Sequence, residues 1–235
     1  MVIRFQLHKF CIFLGAVICM YSLLSISYQY TQEAFNSYHK SSVPLIIDPG
    51  HGGADGGAVG IDGVLESEIN LEIALKLNCL GKLCGVPTIL TRESENINYP
   101  SEADSIAERK VADQKARLRL IRDYPNAILY SIHQNTFPDE KVTGVQVLFG
   151  HDESSRALGL NLQKQFNESL GPNVSRSAAE ISESIYLMKH CGCTAVLVEC
   201  GFISNAKECE LLQQQSYQNK LVVVLLGTYM DYINQ

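Results

Sequence analysis

Tryptophan is absent from the 235 residues, and aromatic residues make up only 8%. Without stacking side chains the chain has no platform for single-stranded nucleic acid. An excess of positive charge is missing too: 19 Lys and Arg stand against 25 Asp and Glu, for a net charge of −6. A surface of that sign repels phosphates, which argues for no nucleic-acid partner. Several catalytic signatures are also absent. No Gly-Lys-Ser/Thr follows the glycine-dense stretch after Pro49, and no G-x-G-x-x-G occurs there, so a phosphate cradle is a weak reading. Neither a G-x-S-x-G elbow nor an HExxH zinc helix is present.

What the chain does have begins with one long apolar run. Arg4, His8 and Lys9 precede the uncharged stretch from Phe10 to Ile26. A basic flank followed by an apolar run is the pattern of an export signal or a membrane-spanning helix. The run is near the short end of the roughly 17–25 apolar residues that span a bilayer. Its one small-residue pattern, Ser25-Ile26-Ser27, is followed by bulky Tyr28, so 1–28 reads as an uncleaved membrane anchor with the following domain outside. Residues 29–42 then serve as a tether, and 43–235 as one globular domain. Of eight cysteines, Cys11 and Cys19 lie in the apolar run. Cys79, Cys84 and Cys200 fall on apolar faces, as buried free thiols would. Cys191-Gly192-Cys193 suggests a metal pair, but no second Cys/His pair stands at zinc-finger spacing. An exported domain permits disulfides, and the sequence leaves their pairing open.

The globular part alternates strands and helices. Val43, Leu45, Ile46 and Ile47 read as a buried strand that breaks at Asp48-Pro49-Gly50-His51-Gly52-Gly53. Ile69, Ile73, Leu77 and Leu80 recur at helical spacing behind Glu66 and Glu68. Strands are expected at Val86–Thr91, Ala127–Ile132, Val145–Phe149 and Ala195–Val198. Helices are expected at Asp104–Asp123, Ser154–Leu170 and Gln218–Ile233. This order predicts an α/β domain: a single, mainly parallel twisted sheet of about five or six strands flanked by helices, preceded by the anchor helix.

Three of these strands finish on polar residues: Ile47 leads to Asp48 and His51, Ile132 to His133, and Val198 to Glu199. The carboxyl ends of parallel strands share one rim, so these groups can converge, with Glu66 just past the first loop. Two imidazoles and one carboxylate bind Zn²⁺ and leave a position for water. A second, free glutamate can then move the proton. Spacing alone leaves open which glutamate does which.

The stretches DPGHGG (48–53), Glu66 with Asn70-Leu71, Thr91-Arg92, SIHQN (131–135) and LVECGFISN (197–205) together resemble the zinc-dependent N-acetylmuramoyl-L-alanine amidases. These are peptidoglycan hydrolases of the type-3 amidase domain, and the resemblance runs from Val43 to Tyr232. It implies one zinc ion on His51, Glu66 and His133, with Glu199 as catalytic acid/base. The short form without wall-binding repeats is most similar to the germination-specific spore-cortex amidases (the CwlD type). That resemblance implies action on cortex peptidoglycan outside the cell or forespore membrane. Asp48 and Asn135 are expected behind the ligand imidazoles, since ligating histidines usually donate their other N–H. Arg92 and Arg117 are expected either to meet a stem-peptide carboxylate or to form structural ion pairs. Another zinc-dependent wall peptidase is the alternative on the same chemistry. A silent wall-binding module is the other, though the intact His51, Glu66, His133 and Glu199 speak against it. Thr194 stands where the family has a proline, and no long insert between His133 and Glu199 blocks the site. Control is therefore left to an accessory or regulatory protein, or to timing of expression.

Overall fold

The computed structural model describes residues 14–15, 17–29, 43–171 and 175–234. Residues 17–29 are helical. No helix among the described residues is long and apolar enough to cross a membrane. Residues 1–13 and 16 of the proposed anchor and residues 30–42 of the tether lie outside the described residues. Val43–Gln235 forms a compact unit of its own.

That unit is built on six strands: β1 (Leu45–Pro49), β2 (Thr88–Leu90), β3 (Ile128–Asn135), β4 (Gln146–Phe149), β5 (Ala179–Glu180) and β6 (Thr194–Phe202). Their order across the sheet is β2-β1-β3-β6-β4-β5. The first four pair in parallel, whereas β4 runs antiparallel to β6 and carries the short β5 alongside it. The expectation of a single, mainly parallel sheet flanked by helices holds. The extra strand, β5, is only two residues long, too short to show a period.

Among the described residues of this unit, six helices flank the sheet: α1 (Glu66–Leu83), α2 (Ile106–Arg122), α3 (Glu153–Leu170), α4 (Tyr186–His190), α5 (Ala206–Leu212) and α6 (Gln215–Ile233). α2 starts on a capping box between Ser105 and Glu108, and α3 starts with Asp152 accepting from the Ser155 N–H. α4 and α5 are too short to be read from hydrophobic periodicity. Of the cysteines expected to be buried, Cys200 is, but Cys79 and Cys84 are exposed: Ile69, Ile73, Ala74 and Leu77 define the inward face of α1, and Cys79 lies off it.

Side chains alternate across a strand, so register decides which residues share a face. Ile46, Leu129 and Leu197 face the layer made by Leu118 and Ile121 of α2 and Leu187 and Met188 of α4. Fully burying each such side chain stabilises the fold by about 1.5–3 kcal/mol. Continuing two residues at a time along the same face gives Asp48 on β1, Ser131 and His133 on β3, and Glu199 on β6. α4 is a single short turn, so it leaves this part of the face uncovered as a cleft of about 360 Å³.

Candidate metal centre

His133 and Glu199 stand directly opposite each other in the β3–β6 pairing, and a register shift follows between His133 and Asn135. Both lie inside their strands rather than at the strand ends. β3 continues to Asn135 and β6 to Phe202, because the polar residues are accommodated by the open cleft and need not terminate pairing.

His51 arrives from a loop. Its φ of 60° is the left-handed region that non-glycine residues rarely adopt, and such strain persists only where surroundings over-determine it. Two buried arginines do so. Arg117 donates to the carbonyls of Pro49 and His51, both at 2.6 Å. Arg92 donates to the carbonyls of Pro49, Gly50 and Ser67. Their remaining donors meet Asp48 and Asp113 from Arg117, and Glu95 from Arg92. Both arginines are thus engaged in holding the loop, which leaves them no free fork for a substrate carboxylate.

Glu66 opens α1. Leu65 provides no side-chain cap; the first helical N–H groups of Glu66 and Ser67 instead meet the carbonyls of Ala58 and Gly56. The loop is thereby stitched to the helix end, and the Glu66 carboxylate accepts from the Ala58 N–H and the Gln134 N–H. Its two oxygens lie 3.4 Å from His51 Nε2 and 3.0 Å from His133 Nδ1. The His51 and His133 rings meet edge to face, 5.0 Å apart.

Space for this arrangement depends on two glycines. A Cβ on Gly50 would fall 2.2 Å from the His133 ring. One on Gly57 (φ 71°) would fall 2.6 Å from Glu66 Oε2 and 2.8 Å from His51. The glycines therefore serve the approach of three side chains.

Charge is balanced within the cluster. Burial alone would raise the Glu66 carboxyl, but the His133 hydrogen bond and the neighbouring imidazoles hold it down to about 2. Burial alone would lower the His133 imidazole, and Glu66 lifts it above its usual value. Glu199 has no such partner. Burial pushes its carboxyl up to about 7, against the pull of His133, and its Oε2 is buried without a hydrogen-bond partner.

One donor atom from each of His51, Glu66 and His133 lies within 4.8 Å of the others. Two imidazoles and an ionised carboxylate are the donor types of a catalytic Zn²⁺ centre, and the glycine cradle and the unpartnered Glu199 oxygen beside them fit that group. Of the residues expected behind the imidazoles, Asp48 is committed elsewhere: it accepts from Thr91, Ser131 and Arg117. Asn135 lies two residues beyond His133 in β3, and its backbone carbonyl accepts from the Ile203 N–H. The residue behind His51 is Asp55, whose Oδ2 lies 2.9 Å from His51 Nδ1 and 2.9 Å from Lys110 Nζ. Burial would raise the Asp55 carboxyl; Lys110 and His51 together bring it down to about 2. Its only sequence signal is an acidic residue four positions after His51 in the same loop.

Residues 45–225 match the family described as N-acetylmuramoyl-L-alanine amidase. The chain is 32% identical over 219 residues to the germination-specific N-acetylmuramoyl-L-alanine amidase of Bacillus subtilis, a match covering 91% of this chain and 90% of that protein. Among solved structures, the CwlD amidase of Clostridioides difficile, in complex with the GerS lipoprotein, aligns with a TM-score of 0.78 and 33% identity over 82% of this chain and 99% of that one. AmiC2 of Nostoc punctiforme aligns with a TM-score of 0.69 at 22% identity, over 82% of this chain and 98% of that one, and so shares the fold.

Proposed function

The chain belongs to the N-acetylmuramoyl-L-alanine amidase family, and on that footing we propose that it hydrolyses the amide joining N-acetylmuramic acid to the L-alanine of the peptidoglycan stem peptide. The observation that carries this reading is the convergence of His51, Glu66 and His133 next to Glu199.

In this reading His51, Glu66 and His133 hold one Zn²⁺. Bound there, the metal would lower the pKa of a water and polarise the amide carbonyl. The protein supplies the rest. Asp55 fixes the His51 ring through Nδ1, so that Nε2 faces the centre. Glu66 stays ionised as a ligand because its neighbours depress its pKa. Glu199 takes the proton of the attacking water on its unpartnered Oε2 and returns it to the alanine nitrogen as the amine leaves. A carboxyl lifted by burial is suited to both acceptance and return.

Spore-cortex peptidoglycan is the proposed substrate, supported by similarity to a germination-specific relative. The C. difficile relative was solved with a lipoprotein, which supports an accessory protein for this chain as well. Export, with the apolar run as anchor, is proposed from the basic flank and composition of residues 4–26. Digesting purified peptidoglycan with the full chain and identifying the new termini tests the reaction. New L-alanine amino ends support it, whereas new D-amino-acid ends would assign the chain to a wall peptidase instead.

A further inference from the structure

Cys191-Gly192-Cys193 forms the turn between α4 and β6 and has no part in the chemistry above. Cys193 lies six residues before Glu199, roughly 20 Å away along an extended strand at about 3.3 Å per residue. The turn is built in a particular way. Cys191 has helical backbone angles and Gly192 a φ of 73°, the succession that folds consecutive N–H groups into a concave nest. The left-handed angle at Gly192 brings the chain back on itself, so that the Cys191 Sγ lies 3.7 Å from the Cys193 carbonyl and 3.3 Å from that of Met188.

The two thiols share a hydrogen bond. That bond, with backbone N–H groups of Cys193, Gly192 and Cys191, holds the Cys191 thiol below its usual value despite its burial, while the Cys193 thiol is pushed up. The pair therefore holds one proton tightly and releases the other readily. The half-buried Cys193 is reached from a depression of about 480 Å³ lined by His151, Asp152, Cys191 and Cys193, and a side chain added at Gly192 would meet nothing within 4 Å. Cys200, by contrast, is fully buried and its thiol is pushed up by burial, the mark of an inert structural thiol.

We propose that Cys191 and Cys193 are an exchangeable dithiol, which a small-molecule or protein disulfide converts to an intramolecular disulfide. In the first step a cysteine thiolate attacks one sulfur of the external disulfide, forming a mixed disulfide and releasing one thiol. The second cysteine, as its thiolate, attacks the protein sulfur of that mixed disulfide and expels the second thiol. The dithiol is oxidised by two electrons and the external disulfide reduced to two thiols, so atoms and electrons balance. Closing the bond removes the hydrogen that Cys191 gives to the Met188 carbonyl, at the end of a helix whose Tyr186, Leu187 and Met188 wall the catalytic cleft. A ring closed across a single intervening residue is short, which favours a reversible bond over a permanent structural one.

The test is to equilibrate the full chain with oxidised glutathione, denature it, alkylate the remaining thiols and map the tryptic peptide 190–207. This peptide carries Cys191, Cys193 and Cys200. The expected result is loss of two of its three alkylation sites, at Cys191 and Cys193, restored by dithiothreitol. In the Cys193→Ser and Cys191→Ser variants the reaction should stop at a glutathione adduct on the remaining cysteine. The proposal is overturned if all three thiols stay alkylatable in excess oxidised glutathione, or if the bond formed joins either cysteine to Cys200, Cys79 or Cys84. This readout does not depend on amide hydrolysis, so its failure and that of the amidase reading are separable.

Discussion

His133 and Glu199 are cross-strand partners in the β3–β6 pairing, on one face of the sheet. In the proposed mechanism one binds the metal and the other carries a proton, and the backbone itself sets their separation. Glu199→Gln keeps the shape and removes the titratable oxygen. Hydrolysis of peptidoglycan should fall by about 10²–10⁴-fold, the usual share of general acid–base catalysis, while bound zinc is retained. Turnover of the variant alongside its metal content checks this, and unchanged turnover would remove Glu199 from the mechanism.

Asp55 acts on the centre through His51. Asp55→Asn should weaken zinc affinity by about 10–100-fold, as loss of a carboxylate behind a ligand imidazole does elsewhere. Competition with a chromogenic chelator measures it directly, without reference to activity. Equal affinity in the variant and the parent would show that the 2.9 Å contact does not orient the ring.

Gly57 is required by two different constraints. Alanine there must adopt a φ of 71° and place a methyl 2.6 Å from Glu66 Oε2. The backbone term costs about 1–2 kcal/mol, which a fold of this size withstands, but Glu66 must move. Gly57→Ala should therefore fold with a modestly lower Tm and lose the rise in Tm that added zinc gives the parent. A zinc-dependent rise equal to that of the parent would contradict the cradle.

Asp48 and Arg117 form a buried ion pair that anchors the His51 loop. Asp48→Asn leaves Asp113 as the one carboxylate paired with Arg117 and should cost about 3 kcal/mol, the low end for breaking a buried pair. Burial would raise the Asp48 carboxyl, but Arg117, Thr91 and Ser131 hold it below its usual 3.8. The sign follows from the depressed value: its stabilisation is complete above the unfolded pKa and is lost as pH falls through the folded one. Urea unfolding of the parent should weaken on acidification below about pH 4, and the variant should lack that part of the slope.

Much of this centre can be read from the chain because its strands are apolar runs with abrupt polar interruptions. His51, His133 and Glu199 stand out against Ile47, Ile132 and Val198 for that reason, and the alternation of strands and helices predicts the sheet. Other features depend on three-dimensional pairing. The register that sets His133 against Glu199 has no local signal. The roles of Arg92 and Arg117 follow from the carbonyls of Pro49, Gly50 and His51 that the loop turns toward them, which sequence does not display. Asp48 reads as a partner for an imidazole, yet Arg117 on α2 reaches it first, and Asp55 takes the place behind His51. β5, α4 and α5 are shorter than the period by which strands and helices are recognised, although α4 forms one wall of the cleft.

Elemental analysis of the gently purified full chain, beside His51→Ala and His133→Ala, addresses the centre most directly. One zinc per parent chain, and none in either variant under the same conditions, is the predicted result. A parent chain without zinc that takes up none on addition, or a variant that retains a full equivalent, would contradict the assignment of His51, Glu66 and His133 as its ligands.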